Sequence, residues 1–145
     1  MLLQVGMIIN ESLRLYPPAV ALYRHANKQV KLGSFSLPAG TQFQLPVLGM
    51  HHDPTLWRND VHEFNPERFS QRISSSAKHA MSFFPFGFGP RTGQHFALLE
   101  VKVALSMILQ KFSFVISPDN SHSPHEEFTL SPQHGVNVIL RMNEN

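Results

Sequence analysis

The chain has 145 residues, no cysteine and a formal net charge of +2. That length suits one domain, and 42% hydrophobic against 15% charged residues is enough to bury a core. The missing cysteines exclude disulfides, zinc ribbons and cysteine nucleophiles, and the small charge, with no long Lys/Arg run, gives no case for a nucleic-acid partner.

The N-terminal run Met-Leu-Leu-Gln-Val-Gly-Met-Ile-Ile-Asn is apolar, has no positive flank, and is too short to span a bilayer before Glu11 and Arg14 interrupt it. It predicts an amphipathic helix to about Leu15, stopped by Pro17 and Pro18. Glu11 and Arg14 stand three apart on one face. Such pairs occur on many surface helices, where they contribute under about 1 kcal/mol. Residues 28–47 read as short strands, Gln29 to Leu32, Ser34 to Leu37 and Thr41 to Val47, punctuated by Gly33 and Pro38-Ala-Gly40. From His51-His52-Asp53-Pro54 and Trp57 to Ala80 the pattern is irregular, and so long a loop in a compact domain has a docking role or depends on neighbours. His51 and His52 are adjacent and point apart, and no His-Glu-x-x-His pair occurs, so no zinc site is expected.

Phe83 to Phe96 reads Phe-Phe-Pro-Phe-Gly-Phe-Gly-Pro-Arg-Thr-Gly-Gln-His-Phe, too stiff and too interrupted by glycine for a helix or central strand. It predicts a shaped loop feeding a helix from Ala97 to Phe112. That helix is apolar around most of its circumference, with Lys102, Ser106 and Gln110 in one narrow polar stripe, and is expected to be buried. A glycine-rich loop at a helix start can present backbone N–H groups to an anion or ligand, and Arg91 adds a positive charge. No Gly-Lys-Ser/Thr follows and a third fingerprint glycine is absent, so the phosphate-loop reading fails. The other reading is an aromatic turn that plugs a core. Beyond the helix, Phe112 to Ile116, Phe128 to Leu130 and Val136 to Leu140 read as strands around a polar loop.

Phe86-Gly-Phe-Gly89-Pro-Arg91-Thr92 resembles the haem-binding loop of the cytochrome P-450 superfamily, Phe-x-x-Gly-x-Arg-x-Cys-x-Gly. Phe86, Gly89 and Arg91 fall in register. Gly93 then follows Thr92 directly, where the family has the axial Cys and one further residue before its glycine. The simplest description is a two-residue deletion that removes the haem ligand. Asn-Glu11-Ser-Leu-Arg14-Leu-Tyr-Pro-Pro resembles the family's Glu-x-x-Arg helix, and Asn65-Pro-Glu-Arg68-Phe69 its Pro-Glu-Arg-Phe segment. The wording Leu-Tyr-Pro-Pro-Ala-Val-Ala-Leu-Tyr-Arg is similar to the plant clan that includes secologanin synthase and brassinosteroid-inactivating hydroxylases.

The resemblance implies an α+β fragment of the mostly α P-450 fold. Residues 1–145 would be the C-terminal part of one domain, without N-terminal anchor, oxygen-activating helix or most of the substrate pocket. It implies a haem held at Phe86, Gly89, Arg91 and Gly93, with Arg24 on a propionate; an exposed strand arginine is the other reading of Arg24. Glu11, Arg14 and Arg68 would form a buried ion network, with Glu67 in solvent. The family's partners are an NADPH-dependent reductase and a small lipophilic substrate, at the endoplasmic reticulum membrane. In the family a cysteine thiolate pushes electron density onto the haem iron and favours O–O cleavage. With no thiolate, this chain alone is expected not to catalyse. Two alternatives remain: a non-catalytic module holding haem through His95 or a reductase through Arg72 and Lys78, and an unrelated small α+β domain.

Overall fold

A computed structural model describes residues 2–71, 73–79, 81–88 and 93–143. Helix α1 (Leu2–Leu15) stops because Pro17 and Pro18 have no N–H to continue it; the Tyr16 N–H still donates to the Ser12 carbonyl at 2.8 Å. Strand β1 (Leu22–His25) pairs antiparallel with β4 (Gln42–Leu45), placing Arg24 opposite Phe43. Between them β2 (Val30–Leu32) and β3 (Phe35–Leu37) make a hairpin that turns at Gly33, whose φ of 59° suits a residue without a Cβ. The short helix α2 (Val47–His51) opens a mostly irregular stretch that carries two 3₁₀ turns, Pro66–Phe69 and Ile73–Ser75. Then come α3 (Gln94–Lys111), β5 (Phe112–Ile116), β6 (Pro124–Glu126), β7 (Leu130–Pro132) and β8 (Val138–Met142). Strand β5 pairs with β8 and β6 with β7, both antiparallel, so the described strands form four separate two-stranded ladders.

The core lies between α1 and the irregular stretch. Met7, Trp57, Val61 and Phe69 pack together, with Leu56, Ala77 and Phe83 against them. Trp57 is fully buried, and its indole N–H is satisfied by the Met50 carbonyl at 3.1 Å. These are the contacts a long loop needs in order to stay ordered without strands of its own.

Three expectations from sequence need correction. Strand β1 was not expected: its partner β4 lies about twenty residues on, and a four-residue stretch shows no period to announce that pairing. Phe128, expected in a strand, lies in the bend between β6 and β7 and is 94% exposed. Most important, α3 is not buried. Ser106 is the one buried residue among its described positions, while Phe96 is 71% and Met107 59% exposed. The cause is its neighbour. Helix α3 meets α1 along one side only, where Lys102 Cε would lie 3.3 Å from a Cβ added to Gly6 and Leu98 and Leu105 are half-buried, and the rest of its apolar circumference turns outward. Among the described residues no helix is long and apolar enough to cross a membrane.

Candidate functional site

The site begins with one arginine. Arg14, on α1, is fully buried, and its guanidinium has five N–H donors to place. Nε and Nη2 donate to the two oxygens of Glu11, each at 2.8 Å. Nη1 donates to the carbonyls of Val61 at 2.7 Å and His51 at 3.0 Å, and Nη2 also to that of Glu63 at 3.2 Å. Every donor is used, and the Trp57 ring lies 5.2 Å from the guanidinium carbon as a cation–π neighbour. A buried charge is tolerable only when it is paired and hydrogen-bonded in this way.

The Pro-Glu-Arg-Phe turn closes the set. Glu11 Oε1 accepts the Asn65 backbone N–H at 3.0 Å, and Arg68 Nε stands 3.6 Å from the same oxygen, an electrostatic contact too long for a hydrogen bond. Arg68 finds its hydrogen bonds on Asp60. Nη1 donates to Oδ1 at 3.0 Å, and Nη2 lies 2.9 Å from Oδ2 and donates to the Asp60 carbonyl at 3.1 Å. The hydrogen bond from Arg68 is the main influence holding the Asp60 carboxyl below its usual range. Glu67 is exposed. The structure thus brings Glu11, Arg14 and Arg68 together and adds Asp60, which sequence reasoning missed. Eight residues from Arg68 in irregular chain, Asp60 has no helical or strand spacing to reveal it.

His51 was also missed as a site residue. At the C-terminal end of α2 it is fully buried, stacked on Phe83 with ring centroids 5.4 Å apart, and its Nε2 accepts the Phe84 N–H at 3.2 Å. Burial pushes its pKa down to about 4, with Arg14 and His52 as lesser charged causes. His52 points away, as adjacent residues do, with its Nε2 3.0 Å from the Leu15 carbonyl; burial lowers its pKa as well.

The aromatic loop starts as a turn in which the Gly87 N–H donates to the Phe84 carbonyl at 2.8 Å, with Pro85 at the position that favours proline. Gly87 has φ 81°, and a Cβ there would lie 3.0 Å from Leu22 Cδ1 and 3.5 Å from Arg24 Nη2. Strand β1 therefore sets Arg24 against the loop, its Nη1 donating to the Tyr23 carbonyl at 2.8 Å. Phe86 is half-buried and lines an apolar cleft of about 460 Å³ between α1 and α3, with Ile9, Leu13, Leu98, Val101 and Leu105. Gly93, at φ 89°, starts α3, and its carbonyl accepts the first helical bond, from the Ala97 N–H at 2.9 Å. Gly89, Arg91 and Thr92 lie outside the described residues, as does Arg72. Lys78 and His95 are exposed.

A helix-borne Glu–Arg pair, a Pro-Glu-Arg-Phe turn and an aromatic glycine loop gather around one small core, an arrangement consistent with part of the cytochrome P450 fold. Residues 2–140 match the cytochrome P450 family, and the chain belongs to it. It is 52% identical over 138 residues to Cytochrome P450 72A397 of Kalopanax septemlobus, covering 94% of this chain and 26% of that protein. It is 51% identical to the 11-oxo-beta-amyrin 30-oxidase of Glycyrrhiza uralensis, again over 94% and 26%, and 46% identical to Cytochrome P450 734A1 of Arabidopsis thaliana, over 94% and 27%. The chain spans about a quarter of the length of these plant relatives.

The family implies a haem iron. The donor set does not fit a haem-thiolate: the sequence contains no cysteine, and the polar side chains lining the Phe86 cleft are Ser12 and Tyr16, neither a thiol. Among the described residues no three His, Asp or Glu side chains converge to hold a metal ion.

Proposed function

We propose that residues 1–145 form the C-terminal part of a single cytochrome P450 domain, the part that carries the haem-binding loop of a plant monooxygenase, and that this chain does not itself catalyse oxygen insertion. The parent reaction is an O2-dependent hydroxylation of a small lipophilic substrate such as a terpenoid or steroid. An NADPH-dependent reductase supplies the electrons. Support for the substrate class comes from the name of one relative, an oxidase of 11-oxo-beta-amyrin. The observation that carries the reading is the convergence of the Glu-x-x-Arg and Pro-Glu-Arg-Phe segments on one buried carboxylate, that of Glu11, in a chain whose aromatic glycine loop lacks the sulfur. Phe86 and Gly93 would flank the haem within that loop, Gly89 would allow its close turn, and Arg91 and Arg24 would meet the propionates.

Removing two residues shortens the loop's reach by up to ~7 Å, at ~3.3–3.6 Å per residue. Ligand and geometry are therefore lost together. The test is the ferrous carbonyl spectrum of the chain mixed with haem, which should lack the red-shifted thiolate band; a thiolate-type band from the unaltered chain would overturn the reading. In a chimera with the upstream part of a related enzyme, inserting Cys-Ile between Thr92 and Gly93 should recover that band, and Thr92→Cys should not. Equal recovery by Thr92→Cys would show that the loop tolerates the shortening. A histidine-type spectrum abolished by His95→Ala would favour a haem-binding module without monooxygenase chemistry.

A further inference from the structure

We propose that His51 is a positioning residue that couples the buried Arg14 to the aromatic loop, its backbone carbonyl held by the guanidinium and its imidazole Nε2 holding the Phe84 N–H. Arg14 lies 37 residues before His51 and Phe84 33 after it, so one residue, by its carbonyl and its ring, joins three distant parts of the chain. The two contacts, 3.0 Å to the carbonyl and 3.2 Å at Nε2, sit at opposite ends of a residue that is 0% exposed. The ring cannot swing between them. It is stacked on Phe83 at an interplanar angle of 23° and meets Phe84 edge-on, with Trp57 against it from a third side.

The atoms dictate the protonation state. An imidazole nitrogen accepts a hydrogen bond only when it carries no proton, so with Phe84 donating to Nε2 the single proton sits on Nδ1. Nδ1 makes no hydrogen bond among the described residues. The Phe84 amide is therefore the one hydrogen bond the ring makes there, and a residue of equal bulk without an acceptor would fill the space yet leave that buried N–H unsatisfied. Burial agrees with this arrangement, since it keeps the ring neutral down to about pH 4. The coupling rests on these contacts and holds whether or not the chain ever binds haem.

The experiment uses the 145-residue chain as it is. In the unmutated protein, imidazole 15N shifts at about pH 7 should show His51 neutral, protonated at Nδ1 and accepting at Nε2. A ring protonated at Nε2, or one titrating like a solvated histidine, overturns the proposal. Hydrogen exchange then compares His51→Gln, whose Oε1 can replace the acceptor, with His51→Leu, which has none. In His51→Leu the amides of residues 82–87 should exchange about tenfold faster or more, with those of α1 unchanged; one hydrogen bond of about 1.4 kcal/mol corresponds to tenfold. His51→Gln should stay close to the parent. If the leucine variant protects the loop as well as histidine, or loosens α1 as much as the loop, His51 only fills the core and the coupling does not exist.

Discussion

Helix α1 and helix α3 invert each other. On α1 the charged Glu11 and Arg14 are completely buried, whereas on α3 the apolar Phe96, Leu99 and Met107 are each more than half exposed. Hydropathy alone does not tell the two helices apart. What separates them is supply of partners: α1 is wrapped by α2, the irregular stretch and the Pro66–Phe69 turn, which offer three carbonyls and a backbone N–H to its charges. Helix α3 meets α1 along one side, with Lys102 against Gly6, and its buried Ser106 hydroxyl has no hydrogen-bond partner among the described residues. Apolar sequence creates a demand for burial, and only packed neighbours meet it.

The sharpest way to break this contrast is to remove the charge at its centre. Arg14→Ala would strip Glu11 of its hydrogen-bonded cation and leave the buried carbonyls of His51 and Val61 short of a donor, a loss of about 3–5 kcal/mol by analogy with broken buried pairs. Arg68→Ala should cost less than Arg14→Ala, because Asp60 is 30% exposed and can turn to water. Urea unfolding of the two variants gives the order; equal stability of Arg14→Ala and the parent would mean that the network contributes nothing.

Acid should destabilise the fold by a smaller amount. His51 is a base whose folded pKa lies near 4 against 6.5 when unfolded, so below pH 6.5 the unfolded chain takes up the proton first. Its contribution is complete above about pH 6.5, declines as pH falls to about 4, and is gone below that, a change of about 3 kcal/mol. His52, lowered by burial too, adds in the same direction. The Asp60 carboxyl, lowered from 3.8, gives way only at more acid pH. Denaturation midpoints between pH 7 and 4 should fall in the parent and fall less in His51→Gln, which has no proton to take up; parallel slopes would remove His51 as the cause.

The smallest effect belongs to α3. Phe96→Gln with Met107→Gln should alter stability by no more than about 0.5 kcal/mol each, as for surface sites, while reducing self-association. Sedimentation across a concentration series reads this out. A parent chain that stays monomeric and unfolds in one sharp transition would show that the exposed apolar face is no liability.

Sequence was most legible where short motifs carry their own geometry. Glu11 and Arg14 announce a shared helix face, and Pro17-Pro18 its end. Asp60 and His51 were illegible because each owes its role to a contact made across irregular chain, where no period relates one residue to the next. Helix α3 was read correctly as a helix and wrongly as buried: periodicity reports which residues share a face, not whether neighbours cover it, and here α1 covers one side only. Arg24 illustrates the middle case. Its strand was not foreseen, yet its position against Gly87 follows once β1 pairs with β4.

The fan of bonds from Arg14 also bears on which substitutions the chain can absorb. Three of its five contacts are to main-chain carbonyls, at His51, Val61 and Glu63, and a carbonyl is the same atom whichever side chain its residue bears. Glu63, whose side chain is outside the network, is free to change identity without altering what Arg14 touches; Arg14 has no such latitude. Mutational tolerance is thus distributed unequally between the two ends of the same hydrogen bond. A chain could drift far in its irregular stretch and still keep this knot tied, provided that the codons for Glu11 and Arg14 held.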